Sequence, residues 1–225
     1  YYTRHMHTFG TTREHIAMVA VKNHEHGFLN PLSHFRRKIT VDTVLNSPIV
    51  SWPFSLYDCC PVTDGAAAAI VCRADLAKKY TDSPVYVVGN GLSSDPAFMH
   101  LRTSFTSFPC VINSSKQAYK MAGITAKDVD FAELHDCFTG TELICYEDNG
   151  FCKKGEGGKF IEEGIPYLGA GKPVVNPSGG LKSHGHPIGA TGVAQIVELF
   201  WHLRNEAGER QVKGATIGLQ QNVGG

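Results

Sequence analysis

Hydrophobic positions in this chain alternate between short runs and helical spacing. Apolar residues recur at helical spacing from Val193 to Leu203, which predicts a helix over 190–205. A second helix is predicted early in the segment 11–35, after a cap at Thr12 and before the break at Asn30 and Pro31. Short apolar runs bounded by turn residues predict strands at 66–72, 85–88, 129–134 and 215–219.

The remaining segments complete an alternating order of strands and helices. A short exposed helix is predicted at 73–79, and a longer one at 116–122, capped by residues 113–115 and ended by Gly123. The glycine-rich, charged stretch 153–172 is predicted to be a surface or active-site loop. This order is typical of an α/β fold, a layered sheet with helices on both sides.

Composition excludes several classes of protein. Among the 225 residues, 42% are hydrophobic and 10% aromatic, as in ordinary globular domains. The 21 basic and 21 acidic side chains balance, which argues against a nucleic-acid or membrane-surface partner but leaves room for a local basic patch. The chain has no apolar run long enough to span a bilayer. Its seven cysteines, without a CxxC pair, indicate reduced thiols in an intracellular protein.

The stretch 176–192 (NPSGGLKSHGHPIGATG) is the strongest functional signal. It places His186 in a turn with five glycines that leads directly into the predicted helix at 190–205. Glycine lets a backbone approach a ligand closely and adopt positive φ, and Pro187 stiffens the turn beside the histidine. The free N–H groups of a helix N-terminus favour anionic oxygens. The pattern predicts a catalytic histidine.

A second candidate site follows the predicted strand 129–134. The strand ends in His135, Asp136, Cys137 and Phe138. Strand ends are where α/β sheets present ligand-binding groups. Taken alone, Cys137 is more often a buried structural thiol and His135 a residue that satisfies a local carbonyl, so each has a structural alternative.

Together the two motifs resemble the thiolase superfamily. Residues 185–192 match its Gly-His-Pro-x-Gly-x-[Ser/Thr]-Gly histidine loop. Ordinary thiolases have Asn-Glu-Ala-Phe at the second motif, whereas His-Asp-Cys-Phe is similar to the sterol-carrier-protein-2-type thiolases. The similarity extends through residues 60–69 and 218–222.

The resemblance implies the layered αβαβα thiolase fold. Residues 1–60 are expected to form the loop region and the end of the N-terminal thiolase domain. Residues 61–225 are expected to be mainly the C-terminal thiolase domain, with its last strand incomplete. The family's nucleophilic cysteine lies in an N-terminal half that this sequence does not include, so the isolated chain is expected to be inactive.

The resemblance also implies roles for individual residues. His186 would activate the nucleophilic cysteine, and Cys137 would move the α-proton of the acetyl group. His135 would donate a hydrogen bond to the thioester oxygen or to a water beside it, with Asp136 as its partner. Substrate-binding positions would be Ser178, Gly179, Gly180, Gly185 and, beside the pantetheine tunnel, Cys60.

Basic side chains in the loop region correspond to the part of relatives that contacts the CoA nucleotide. A solvated basic face remains the alternative for each of them; they are Lys22, Arg36, Arg37 and Lys38. His184 and His186 form an His-x-His pair, but no nearby residues complete a ligand set, so no metal is predicted.

The implied activity is acyl transfer. A 3-oxoacyl-CoA would be cleaved by CoA to acetyl-CoA or propionyl-CoA and a shortened acyl-CoA, or formed by the reverse Claisen condensation. CoA would be a substrate, with no cofactor. A homodimer through the N-terminal half, and a location in the peroxisome or a related microbody, or else the mitochondrion, are also implied.

Two alternatives remain open. A non-catalytic thiolase-like protein would use the same fold to bind CoA esters or a partner protein. A ketoacyl synthase relative is the other, although Cys137 and the Gly-His-Pro turn argue against it.

Overall fold

The computed structural model describes residues 1–223, which form helices, a two-stranded antiparallel pair and a three-stranded parallel sheet. The helices are α1 (Tyr2–Phe9), α2 (Arg13–Phe28), α3 (Val41–Leu45), α4 (Ala74–Ala77), α5 (Pro109–Ala122), α6 (Thr139–Asp148), α7 (Gly157–Glu162), α8 (Gly180–Ser183) and α9 (Thr191–Leu203). The strands are β1 (Ile49–Ser51), β2 (Phe54–Ser55), β3 (Phe131–Leu134), β4 (Val174–Val175) and β5 (Gly218–Gln221). None of these helices is both long and apolar enough to cross a membrane.

A parallel three-stranded sheet positions the candidate site. Strand β3 lies in the centre, with β4 on one side and β5 on the other. Phe131 of β3 is in register with both Val174 and Gly218. Because all three strands run in the same direction, their carboxyl ends meet at one edge, which is where such sheets bind ligands.

Successive side chains of β3 point to opposite faces of the sheet and pack in two different hydrophobic clusters. Ala132 and Leu134 face one side, where they pack in the largest hydrophobic cluster with α2, α5, α6 and α7. Phe131 faces the opposite side and packs with Val174 and with Leu199 of α9. Helices therefore cover both faces of the sheet, as the predicted α/β class requires.

Helix α2 is buried around most of its circumference. It begins at a capping box, in which the side chain of Thr12 accepts from the backbone of His15 and the ring of His15 accepts from the backbone of Thr12. Its fully buried Lys22 makes an ion pair with Glu142 of α6 at 2.8 Å. Lys22 is therefore not available to CoA, which corrects its inclusion among the basic contacts. Its burial requires the carboxylate partner, because an unpaired buried charge is strongly destabilising.

Several predicted elements are confirmed, with shifted ends. Helices α2 and α9 and strand β3 lie where the apolar pattern placed them, and β5 begins three residues later than predicted. Helix α5 begins earlier than residue 116, at Pro109, and is ended by Gly123, whose φ of 69° is left-handed. The residues predicted as its cap lie in its interior, where Ser115 donates instead to Asn149 Oδ1 at 2.7 Å.

The predicted strands at 66–72 and 85–88 are wrong for this structure. Neither segment is paired in a sheet within residues 1–223, and their apolar side chains are largely exposed, Ile70 fully and Val71 at 82%. An apolar run forms a strand only beside a hydrogen-bonded neighbour. The second segment continues along α5, where Gly91 approaches the carbonyl of Ser114 so closely that a side chain would collide with it.

The predicted loop at 153–172 is partly helical. It contains α7, whose Gly157 and Gly158 are buried. A Cβ at Gly158 would lie 2.6 Å from the ring of His15 in α2. The glycines there allow close packing against α2 and α6, which is why a glycine-rich, charged stretch does not remain a surface loop.

Candidate active site

The carboxyl edge of the sheet brings polar residues together directly after each strand. His135 follows β3, Asn176 follows β4, and Gln221 ends β5. Asn176 has a φ of 54°, and its Oδ1 accepts from the backbone N–H of Leu134 at 2.7 Å. Its backbone turns sharply there, so the glycine-rich stretch starts beside the end of β3.

The two predicted histidines meet at this edge. The ring centroids of His135 and His186 are 5.1 Å apart, and the rings are nearly perpendicular. The turn that carries His186 is held by a parallel bridge to Val62. Sequence positions 51 residues apart are thus assembled into one site, as the two motifs predicted.

The hydrogen bonds of His186 determine which ring nitrogen is protonated. Its Nδ1 lies 2.8 Å from Thr191 Oγ1, at the start of α9. The single hydroxyl hydrogen of Thr191 is donated to the Pro187 carbonyl at 3.1 Å. With that bond in place, Thr191 Oγ1 accepts from His186 Nδ1, which corresponds to the tautomer with its hydrogen on Nδ1. In the neutral ring, Nε2 is left with a free lone pair, as a general base requires.

Burial keeps both histidines neutral near pH 7. It lowers the pKa of His186, and the nearby ammonium of Lys182 lowers it further. Burial and the neighbouring His186 lower the pKa of His135 to about 4. Two imidazoles side by side disfavour a positive charge on either one.

His135 presents an unused polar atom. Its Nδ1 is buried and has no hydrogen-bond partner among residues 1–223. The backbone N–H of His135 donates to Gln221 Oε1 at 3.4 Å, which links the ends of β3 and β5. Buried polar atoms are nearly always paired, so an unpaired ring nitrogen at a strand end suits a ligand or a bound water.

Cys137 lies in the turn between β3 and α6 and is half-buried. Its carbonyl accepts from the backbone N–H of Cys60 at 3.0 Å, and an antiparallel bridge joins Cys59 to Phe138. The segment 59–62 therefore contacts both the Cys137 turn and the His186 turn. Cys60 thus lies beside the Cys137 turn, and its predicted contact with a substrate stays a prediction.

The thiol of Cys137 is partly buried, beside the hydroxyl of Thr141. Burial raises its pKa, while the hydroxyl of Thr141, 3.7 Å from Sγ, and the ammonium of Lys182 act in the opposite direction. The group is thus a thiol near neutral pH, able to give a proton before it takes one back.

The predicted substrate-binding residues of the glycine-rich turn are packed against protein. Ser178 is buried, and its hydroxyl donates to Glu133 Oε2 at 2.7 Å while accepting from the backbone of Gly180 at 3.1 Å. A Cβ at Gly179 would meet α2, and a Cβ at Gly185 would meet Thr63, within 3 Å. These residues fix the shape of the turn; their contacts to a substrate stay predictions.

Asp136 does not contact His135, contrary to the predicted pairing. Its carboxylate accepts from the Leu181 N–H at 2.7 Å, the Lys182 N–H at 3.2 Å and the side chain of Asn23 at 2.8 Å. Asp136 therefore joins α2, the β3 turn and α8. It orients His135 only through the backbone that the two residues share.

Sequence reasoning missed two residues of the site. Thr191, the acceptor for His186, and Lys182, a buried cation beside Cys137, both lie inside the motif 176–192. A hydroxyl five residues after a motif histidine, at the start of a helix, was an available signal for Thr191. Lys182 gave none, because lysine in a loop is usually solvated.

The remaining basic candidates lie at the surface. Arg36, Arg37 and Lys38 are exposed, and the guanidinium of Arg37 lies 5.3 Å from the ring centroids of Phe35 and Tyr57. They form a basic surface that contacts aromatic rings. No cluster of three or more metal-ligating side chains is present in the part of the chain that the structure describes, and His184 contributes to none.

Sequence comparison identifies the family. The model of the family described as "Thiolase C-terminal domain-like" matches residues 91–225, more than half of the chain. The chain belongs to this thiolase family. The resemblance of the two motifs and the mixed α/β fold with a parallel sheet are both confirmed by this match and by the relatives below.

Relatives of this thiolase domain include enzymes and carriers. It is 50% identical to an acetyl-CoA acetyltransferase of Methanothermobacter thermautotrophicus over 99% of its length and 58% of that protein's. It is 43% identical to sterol carrier protein 2 of Bos taurus, over 98% of its own length and 41% of the other's. The chain thus spans 58% of the first relative's length and 41% of the second's.

Solved structures share the fold. The structure described as "Ltp2-ChsH2(DUF35) aldolase" superposes with a TM-score of 0.86 at 27% identity, over 97% of this chain and 57% of the other. A monomeric SCP2-thiolase like protein from Mycobacterium smegmatis gives a TM-score of 0.69 at 17% identity, over 91% of this chain and 44% of the other. At that identity the second match supports the fold alone.

Proposed function

We propose that this domain supplies the acid–base groups of a thiolase that cleaves or forms 3-oxoacyl-CoA esters. One observation carries the proposal: His186, with Nδ1 hydrogen-bonded to Thr191 and no hydrogen bond to Nε2 within residues 1–223, lies ring to ring with His135. A neutral imidazole with a free Nε2 suits the activation of a thiol nucleophile. The similarity to acetyl-CoA acetyltransferases supports the same reaction.

In the cleavage direction, His186 Nε2 takes the proton of a nucleophilic cysteine supplied by the upstream half of the full-length protein. The resulting thiolate attacks the 3-oxo carbon, and the bond between C2 and C3 breaks. The electrons pass to the thioester oxygen, where His135 Nδ1 and nearby backbone N–H groups stabilise the enolate.

Cys137 then completes the cleavage. Its thiol gives a proton to C2, which releases acetyl-CoA and leaves a thiolate on Cys137. CoA next attacks the acyl-enzyme, and its thiol proton restores the thiol of Cys137. The nucleophilic cysteine leaves as a thiolate and takes its proton back from His186 Nε2. The thioester itself acidifies the α-proton, so the proposal needs no metal or organic cofactor.

The test is acylation of the full-length protein by acetyl-CoA, followed by rapid quenching. The His186→Ala variant should acylate more slowly by a factor on the order of 10² or more, because its general base is lost. His184→Ala, which changes a histidine two residues away, is the matched control and should acylate close to the parent rate. Parent-like acylation in folded His186→Ala would overturn the proposal.

A non-catalytic function is the second candidate. The similarity to sterol carrier protein 2 supports a domain that binds CoA esters or lipids without turnover. The same experiment separates the two, because a carrier would bind acetyl-CoA and form no acyl-enzyme. The aldolase match supports a parallel assay for aldol cleavage.

Further features of the full-length protein stay predictions. They are the domain division at residue 60, a homodimer formed through the upstream half, and a peroxisomal location. The relatives come from archaea and vertebrates alike, so imaging of the tagged protein in its own cells is the test of location.

A further inference from the structure

Lys182 is a buried cation without a carboxylate partner. It lies in α8, its side chain is 1% exposed, and no acidic oxygen within residues 1–223 comes within ion-pair distance of Nζ. The other fully buried lysine, Lys22, has such a partner in Glu142. An unpaired buried charge is destabilising, so the position of Lys182 calls for a reason other than stability.

The contacts of Lys182 point to Cys137. Nζ donates to the carbonyl of Asp58 at 2.5 Å and to the carbonyl of Cys137 at 3.1 Å. It also lies 6.0 Å from the ring centroid of Phe138. The ammonium therefore joins the segment that ends at Cys59 and Cys60 to the turn that carries Cys137.

We propose that Lys182 is a positioning residue for Cys137: it fixes the turn that carries this cysteine and stabilises negative charge on its sulfur. This inference rests on the proposed function, in which Cys137 passes through a thiolate state. No other cation is placed against that turn in the described residues. Opposite charges in a buried setting interact far more strongly than in water.

No other group around Cys137 in the described residues supplies the positive charge that Lys182 provides. Those that face it from the elements packed against it are neutral or acidic: Tyr2 of α1, Cys59 and Cys60, Asp136, and Thr141, Glu142 and Cys145 of α6. The Asp136 carboxylate opposes thiolate formation at Cys137, whereas Lys182 favours it. Burial lowers the pKa of Lys182 itself, and the Asp136 carboxylate counteracts this.

The test measures alkylation of Cys137 by iodoacetamide as a function of pH in the full-length protein, read peptide by peptide with mass spectrometry. Lys182→Met removes the charge and the donors, whereas Lys182→Gln removes the charge and keeps an N–H donor. Both should raise the apparent pKa of Cys137 by about one unit or more, as loss of a nearby opposite charge does. Alkylation at pH 8 should then slow about tenfold or more.

The control is Lys154→Met, because Lys154 pairs with Glu147 and Asp148 and does not contact Cys137. It should leave the alkylation profile of Cys137 unchanged. A parent-like profile in folded Lys182→Met, or in folded Lys182→Gln, would overturn the proposal. Alkylation needs no turnover, so a failure of the thiolase assignment would leave this result standing.

If neither variant folds, the proposal is tested by NMR titration of the parent protein. The ¹⁵N shift of Lys182 Nζ should change over the pH range in which Cys137 ionises, since coupling between two sites is reciprocal. Blocking Cys137 with iodoacetamide should abolish that change. The proposal would be refuted if the ¹⁵N chemical shift of Lys182 Nζ changed neither when Cys137 ionises nor when it is blocked.

Discussion

Replacement of Thr191 by valine tests the hydrogen bond that sets the protonation of His186. Valine keeps the shape of the side chain but removes the acceptor for His186 Nδ1 at 2.8 Å and the donor to the Pro187 carbonyl at 3.1 Å. The residue is 3% exposed, so water does not replace these bonds. The backbone N–H of Thr191 still donates to the Pro187 carbonyl at 2.9 Å, which preserves the turn.

The expected magnitude follows from two lost hydrogen bonds of about 1 kcal/mol each. The bond to Pro187 acts on folding, so the free energy of unfolding should fall by about 1 kcal/mol. The bond to His186 holds the ring for proton transfer, and about 1.4 kcal/mol corresponds to a tenfold change in rate. Loss of about 1 kcal/mol should therefore slow acylation by acetyl-CoA by about fivefold.

The assay is rapid-quench acylation, together with the ¹⁵N spectrum of His186 to identify the protonated nitrogen. Thr191→Ser keeps the hydroxyl and loses only the methyl group, so it should acylate near the parent rate. The reasoning is refuted if folded Thr191→Val acylates like the parent, or if serine and valine reduce the rate equally.

Two further predictions concern stability. Burial, together with the charge of Glu198, raises the pKa of Glu133 from its ordinary value of 4.5 to about 8. The protonated carboxyl is compatible with folding, so the contribution of this group to stability is fully present below pH 4.5 and is lost as the pH rises to about 8. Glu133→Gln should therefore gain stability relative to the parent between pH 5 and pH 9 in urea unfolding, and a constant difference would contradict this. At Gly180, φ is 57° and a Cβ would lie 2.5 Å from Asp136 Oδ2, whereas a Cβ at Gly189 meets nothing within 4 Å. Gly180→Ala should lower the free energy of unfolding by about 1–3 kcal/mol and Gly189→Ala by much less, as measured by thermal melting; equal losses would contradict the packing argument.

The hydrophobic pattern predicted those elements whose apolar residues and flanking turns are close together in the sequence. Helix α9 has an apolar face at helical spacing and a glycine turn before it, and β3 is a buried strand between turns, so both were visible in the sequence. The runs at 66–72 and 85–88 have equally strong apolar patterns, but a strand also needs a neighbour, which local sequence does not specify. Helix α5 was predicted too short because Ser114 and Ser115 resemble a cap, although their hydroxyls bond within the helix and to Asn149, which follows α6.

The residues of the site that belong to a sequence motif could be predicted. Contacts between residues far apart in the sequence could not. His186 and His135 were expected in one site, and their rings are in contact. The partner of Asp136 was predicted wrongly, because a neighbour in sequence was preferred to Asn23, which lies 113 residues away. Lys22 was assigned to the surface because charged residues are seldom buried, and only the position of Glu142 explains its burial.

The most direct measurement of the central claim is exchange of the α-protons of acetyl-CoA with deuterated water, catalysed by the full-length protein. Cys137→Ala and the neighbouring Cys59→Ala are compared with the parent at matched concentrations of folded protein. If Cys137 moves the α-proton, exchange should fall by about 10²–10⁴ in Cys137→Ala, the range for loss of a positioned acid–base group, and stay near the parent rate in Cys59→Ala. Parent-like exchange in folded Cys137→Ala would contradict the account.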